Sequence, residues 1–84
     1  MRTTITRQVT KRCPYADEID VGTLTMSFEG EAPELYDLAR RIDELGSEPI
    51  THEAFTATLI AAYPEATDVE TRWRTGPWSV EVEL

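Results

Sequence analysis

The chain has 84 residues and a formal net charge of -8 at pH 7, which suggests one domain over residues 1–84, so small that oligomerisation is a common remedy for its limited core. It has no apolar run of about 18 residues to span a membrane, no apolar signal core in Met1-Arg2-Thr3-Thr4-Ile5-Thr6 and a single cysteine, which cannot close a disulfide within the chain; a cytoplasmic location is expected. Taken alone, the negative charge argues against nucleic acid, whose phosphates it would repel.

Residues 3–11 alternate loosely, with Ile5, Arg7, Val9 and Lys11 on one phase and threonines on the other, and read as a strand. Cys13-Pro14-Tyr15-Ala16-Asp17 breaks the pattern, since proline does not continue a central strand. Over 19–28, Leu24, Met26 and Phe28 share one face and Val21, Thr23, Thr25 and Ser27 the other, which predicts a second strand with one apolar face. Glu29-Gly30-Glu31-Ala32-Pro33 turns into a helix with Pro33 in its first turn. Leu35, Leu38, Ile42 and Leu45 form its apolar stripe, and Gly46 is a natural stop. Thr51 is the expected N-cap of a second helix, striped by Phe55, Leu59 and Ala62 and ended by Pro64. Val69, Thr71 and Trp73, then Trp78, Val80 and Val82, alternate on either side of Thr75-Gly76-Pro77 and predict a hairpin.

The predicted order is strand, strand, helix, helix, strand, strand. A four-stranded antiparallel sheet with both helices on one face buries that face. Its two open edges invite pairing with other copies, so a homo-oligomeric ring is expected. The order matches the tunnelling fold (T-fold), an α+β unit whose copies assemble into barrels with substrate sites between subunits.

Charge is distributed unevenly. Arg2, Arg7, Lys11 and Arg12 precede any acid, the middle is acidic, and Arg72 and Arg74 return late. A solvated mixture of charges is the plainer reading, and a basic surface shared by the first and third strands is the alternative. Lysine occurs once while acids and threonines abound, a salt-adapted (halophilic) composition in which net charge speaks to solvent rather than partner.

Four side chains could carry chemistry. Cys13, the only thiol, is either a small buried hydrophobe or a nucleophile whose thiolate Lys11 and Arg12 favour. Asp20 falls on the apolar phase of its strand, where an acid is costly unless paired or functional; a wet, frayed strand end is the plainer alternative. His52, the only histidine, and Glu53 open the second helix. Surface exposure and the helix dipole account for them as readily as function does. One cysteine and one histidine are too few for the usual zinc cluster, so no metal is expected.

Together these residues resemble one family. Cys13-Pro14-Tyr15-Ala16-Asp17-Glu18-Ile19-Asp20-Val21-Gly22-Thr23-Leu24-Thr25 is similar to the QueF segment in which a cysteine-proline precedes, at the same spacing, an aspartate that opens a strand. His52-Glu53 resembles that family's histidine-glutamate pair before the second helix. The resemblance implies that Cys13 attacks the nitrile of 7-cyano-7-deazaguanine to form a thioimide. Asp20 would supply a proton as general acid, His52 would transfer or position protons, and Glu53 would grip the base edge. The family's reductases carry a glutamate-serine-lysine-serine-leucine-lysine segment linked to NADPH. Here the stretch is Glu31-Ala32-Pro33-Glu34-Leu35-Tyr36-Asp37, without lysines. That departure favours the QueF-like amidinotransferases, which use no such cofactor and convert the nitrile, in tRNA, to the formamidine of archaeosine with ammonia. For this chain the carrier of the base, tRNA or DNA, stays open. The alternatives are an NADPH-dependent nitrile reductase and a non-catalytic T-fold module that binds a purine.

Overall fold

A computed structural model describes residues 1–84. The elements are β1 (Arg2–Arg12), β2 (Ile19–Glu29), α1 (Leu35–Gly46), α2 (His52–Ala62), β3 (Ala66–Thr75) and β4 (Trp78–Glu83). The strands form one antiparallel sheet in the order β1-β2-β3-β4. α1 packs against β1, and α2 against β3 and β4. The expected two-layer T-fold unit is therefore present. No helix is long and apolar enough to cross a membrane.

Strand alternation explains why one side of the sheet is covered. Val9, Leu24, Met26, Phe28, Val69 and Trp73 point to the helices and are buried, where they meet Leu38, Ile42, Phe55, Leu59 and Tyr63. The other side is mostly exposed and rich in threonine, with Thr6 and Thr25 bonded across it. Within α2 the expected stripe shifts. Phe55 and Leu59 are buried, Ala62 is exposed, and Thr56 takes the third inward place, bonded to the buried Thr71 of β3 at 2.6 Å. In α1, Leu38 and Ile42 are buried while Leu35 is left exposed at the first turn.

Two local expectations are corrected. Pro33 stands before the helix rather than within it: Glu34 is the N-cap of α1, its carboxylate accepting from the Asp37 N–H. Gly46 does not end α1 as a left-handed cap, because Ser47 is the C-cap and the only positive φ values belong to Gly30 and Gly76. Gly46 is required by close approach instead. A Cβ there would collide with the backbone carbonyl of Thr10 on β1. Thr51 does cap α2, accepting from the Ala54 N–H at 3.1 Å.

The open edges are not equivalent. Past the end of α1 the chain runs back along β1: Ile50 N–H donates to Arg12 O at 3.2 Å, and Pro49 bridges Arg12 in parallel. This return covers the last residues of β1 and carries the chain to the start of α2.

Candidate active site

The site lies where β1 and β2 are joined, beneath the N-terminus of α2. Antiparallel register sets Lys11 directly opposite Asp20. Both fall on the helix-facing phase, so both are buried, at 1% and 2% exposure. The Lys11 ammonium donates to Asp20 Oδ2 at 2.7 Å and to Ile50 O at 2.7 Å. Removing two charges from water is expensive, and this pair survives burial because each member is matched by the other and by further hydrogen bonds. Asp20 is therefore neither wet nor frayed. Lys11, taken from the sequence as a neighbour of Cys13, is committed to Asp20.

Cys13 is the first residue beyond β1. Its N–H donates to Glu18 O at 3.1 Å, closing the loop 13–18 between the two strands. It is 9% exposed. The Cys13 sulfur and a carboxylate oxygen each of Glu18 and Asp20 lie within 4.8 Å of one another. A cation placed among them would face the Lys11 ammonium, which already occupies Asp20. A thiol beside a carboxylate has instead a ready acceptor for its proton.

His52 opens α2 and is half-buried. Its ring stacks on Trp73 at 5.0 Å between centroids and 21° between planes. Its Nε2 meets Thr75 Oγ1 at 2.8 Å, and Thr75 in turn donates to Asp20 Oδ1 at 3.4 Å. Its Nδ1 is buried without a partner. Burial pushes the His52 pKa below its usual 6.5, and the Lys11 charge pushes the same way; Asp20 and Glu53 oppose both. The ring is thus set to be neutral near pH 7. Trp73 holds this arrangement. It faces Gly22 across the β2–β3 pair, and a Cβ on Gly22 would come within 2.7 Å of the indole. Its Nε1–H donates to Thr71 at 2.9 Å, and the Lys11 ammonium lies 5.2 Å from its ring centre.

Lys11, Cys13, Asp20, His52, Glu53 and Thr75 line one cleft of about 260 Å³, with the exposed aromatics Tyr15 and Trp78 also on its walls. The structure thus brings all four sequence-selected residues together. Glu53 is exposed in the first turn of α2, where the helix dipole favours a carboxylate and the cleft is also within its reach. Sequence reasoning missed Thr75 and Trp73 as parts of the site, and missed the partner of Lys11. The available signal was the strand phase, which put the lone lysine beside Val9 on the core side, a position that demands a buried acid. Which acid could not be read without the register.

A basic surface shared by β1 and β3 is not formed. β2 lies between them. Lys11 is buried, Arg2 pairs with Asp68, Arg7 with Asp43, and Arg72 with Glu70 and Glu81. Arg12 and Arg74 are the exposed cations of these strands with no carboxylate partner.

Neither a protein-family model nor a curated protein matches the chain. Among solved structures, the archaeosine synthase QueF-Like in its apo form is similar at a TM-score of 0.82 and 14% sequence identity, over 99% of this chain and 90% of that one. At that identity the likeness is one of fold, and it is the fold that the residue resemblance to the QueF family implies.

Proposed function

We propose that the chain is a cysteine-dependent enzyme that modifies 7-cyano-7-deazaguanine held in a nucleic acid, tRNA or DNA, by adding ammonia to its nitrile. The observation that carries this reading is the pairing of the only thiol with an ion-paired carboxylate in one cleft, Cys13 and Asp20 within 4.8 Å. The shared fold with an archaeosine synthase supports it.

The geometry supports the following steps. Asp20 stands as a carboxylate against the Lys11 ammonium. The proton it gives as a general acid is therefore one it has first taken from the Cys13 thiol. The sulfur bonds to the nitrile carbon, one π pair of the C≡N bond moves to nitrogen, and Asp20 returns the proton there. The product is a thioimide, and the Lys11 ammonium is left facing a carboxylate again. Ammonia adds to the same carbon, the C–S bond breaks, and the thiol is restored. The net change is addition of NH3 across the nitrile to give a formamidine, with no oxidation or reduction. Glu53 at the cleft rim is suited to accept two parallel hydrogen bonds from the N1–H and amine of a guanine-like edge. Arg12 and Arg74 are available to phosphates. The start of α1 presents Glu34 and Asp37, where a dinucleotide phosphate would meet like charge; the incoming nucleophile in this reading is ammonia, without NADPH.

Intact mass after mixing with 7-cyano-7-deazaguanine, free and then within RNA or DNA, is the test. A gain of one base in the wild type, lost in Cys13→Ala and released by ammonia, is expected. No adduct on any carrier overturns the reading and favours a module that only binds a purine. A ring of copies belongs to the same proposal, since the free edges of β1 and β4 carry unpaired backbone groups. Light scattering that returns the mass of a monomer would remove that part.

A further inference from the structure

We infer that Thr75 is a positioning residue that fixes the tautomer of His52 and couples its ring to Asp20. The argument is one of donors and acceptors. The Asp20 carboxylate only accepts: Oδ2 takes the Lys11 ammonium at 2.7 Å, and Oδ1 takes the Thr75 hydroxyl at 3.4 Å. A hydroxyl has a single hydrogen. With that hydrogen given to Asp20, Thr75 Oγ1 can meet His52 Nε2, 2.8 Å away, only as an acceptor. Nε2 therefore carries the ring hydrogen.

The ring bears no second hydrogen near pH 7, because burial and the Lys11 charge outweigh Asp20 and Glu53. Nδ1 is then a bare lone pair, buried and without a partner. Trp73 fixes the plane of the ring by stacking. What remains open is which nitrogen is protonated, and the bond made by the opposite nitrogen decides that.

The consequence is a directed chain, His52 Nε2–H to Thr75 Oγ1–H to Asp20. It leaves one acceptor, Nδ1, buried and unpaired. A positive charge arriving on the ring is answered through Thr75 by the carboxylate. What the chain serves rests on the proposed nitrile chemistry; the tautomer itself is a property of the resting protein and is tested without substrate.

His52 is the only histidine, so 15N NMR of histidine-labelled protein reads its two ring nitrogens directly. The wild type above pH 7 is expected to show hydrogen on Nε2 and a bare Nδ1. In Thr75→Val, close in shape but without the hydroxyl, the two tautomers are expected to mix, because one ordinary hydrogen bond biases such an equilibrium roughly fivefold. Thr75→Ser restores the wild-type pattern. Asp20→Asn, which does not touch the ring, also loosens the preference, since an amide can donate to Thr75 and free its hydrogen for Nε2. Hydrogen on Nδ1 in the wild type overturns the inference, as does an unchanged tautomer in Thr75→Val. Should that variant not fold, an unchanged tautomer in Asp20→Asn overturns it equally. A correct tautomer in a protein that forms no nitrile adduct would remove the proposed function and leave the inference standing.

Discussion

The helix-facing side of the sheet has two ends that are buried to the same degree and held together by different physics. At one end Met26, Phe28 and Val69, at 0%, 1% and 0% exposure, join an apolar cluster with Ile42 and Leu59. At the other, Lys11 and Asp20, at 1% and 2%, share a pocket with Thr75 and His52. The apolar end gains from every Å² withdrawn from water, about 25 cal/mol each. The polar end gains nothing comparable, because the attraction between its charges is spent against their own desolvation. A fold that needed only stability would have continued the first pattern along the strands. The charged pair lies beside the single thiol, and in the proposed function its expense serves chemistry rather than the fold.

The largest effect that would sharpen this contrast is at Lys11. Lys11→Met strands the Asp20 carboxylate in a buried site and is expected to cost about 3–5 kcal/mol, read as a lowered urea midpoint. The double substitution Lys11→Met with Asp20→Leu removes both charges. It is expected to recover most of that loss, or to exceed the wild type, while forming no thioimide. A double variant as unstable as the single one would break the comparison, since the polar end would then be structural after all.

A smaller effect comes from pH. The His52 pKa is lowered on folding, mainly by burial. Above pH 6.5 neither state protonates the ring, and its contribution to stability is complete. As pH falls below 6.5 the unfolded chain takes up a proton first, so stability declines until the folded ring titrates as well. Thermal melts from pH 7.5 down to 5 should show this decline, and His52→Gln should reduce it. Equal slopes in the two proteins would mean that His52 is not desolvated in the way the structure has it.

Much of the architecture was legible because it rests on periodicity. Strand alternation placed Leu24, Met26 and Phe28 inward, and helical spacing did the same for Leu38, Ile42, Phe55 and Leu59. Thr51 declared the start of α2 through local capping alone. The misreadings were long-range in origin. Gly46 looks like a helix stop in sequence but is dictated by the Thr10 carbonyl on β1. Ala62 fits the stripe of α2 yet faces out, because Thr56 finds Thr71 on the neighbouring strand. A basic surface on β1 and β3 was conceivable only while the carboxylate partners of Arg2, Arg7 and Arg72 were not seen.

The same division runs through the site. Sequence by itself determined the strands, the helices, the one thiol, the one histidine and an acid on a core-facing phase, because each depends on residue type and near-neighbour spacing. Tertiary structure decided that Lys11 faces Asp20, that Trp73 lies over Gly22 to carry His52, and that Thr75 stands between His52 and Asp20. Those pairings depend on strand register and on how α2 is laid across β3. They join residues 9, 23 and 55 positions apart along the chain, and no local pattern encodes such a distance.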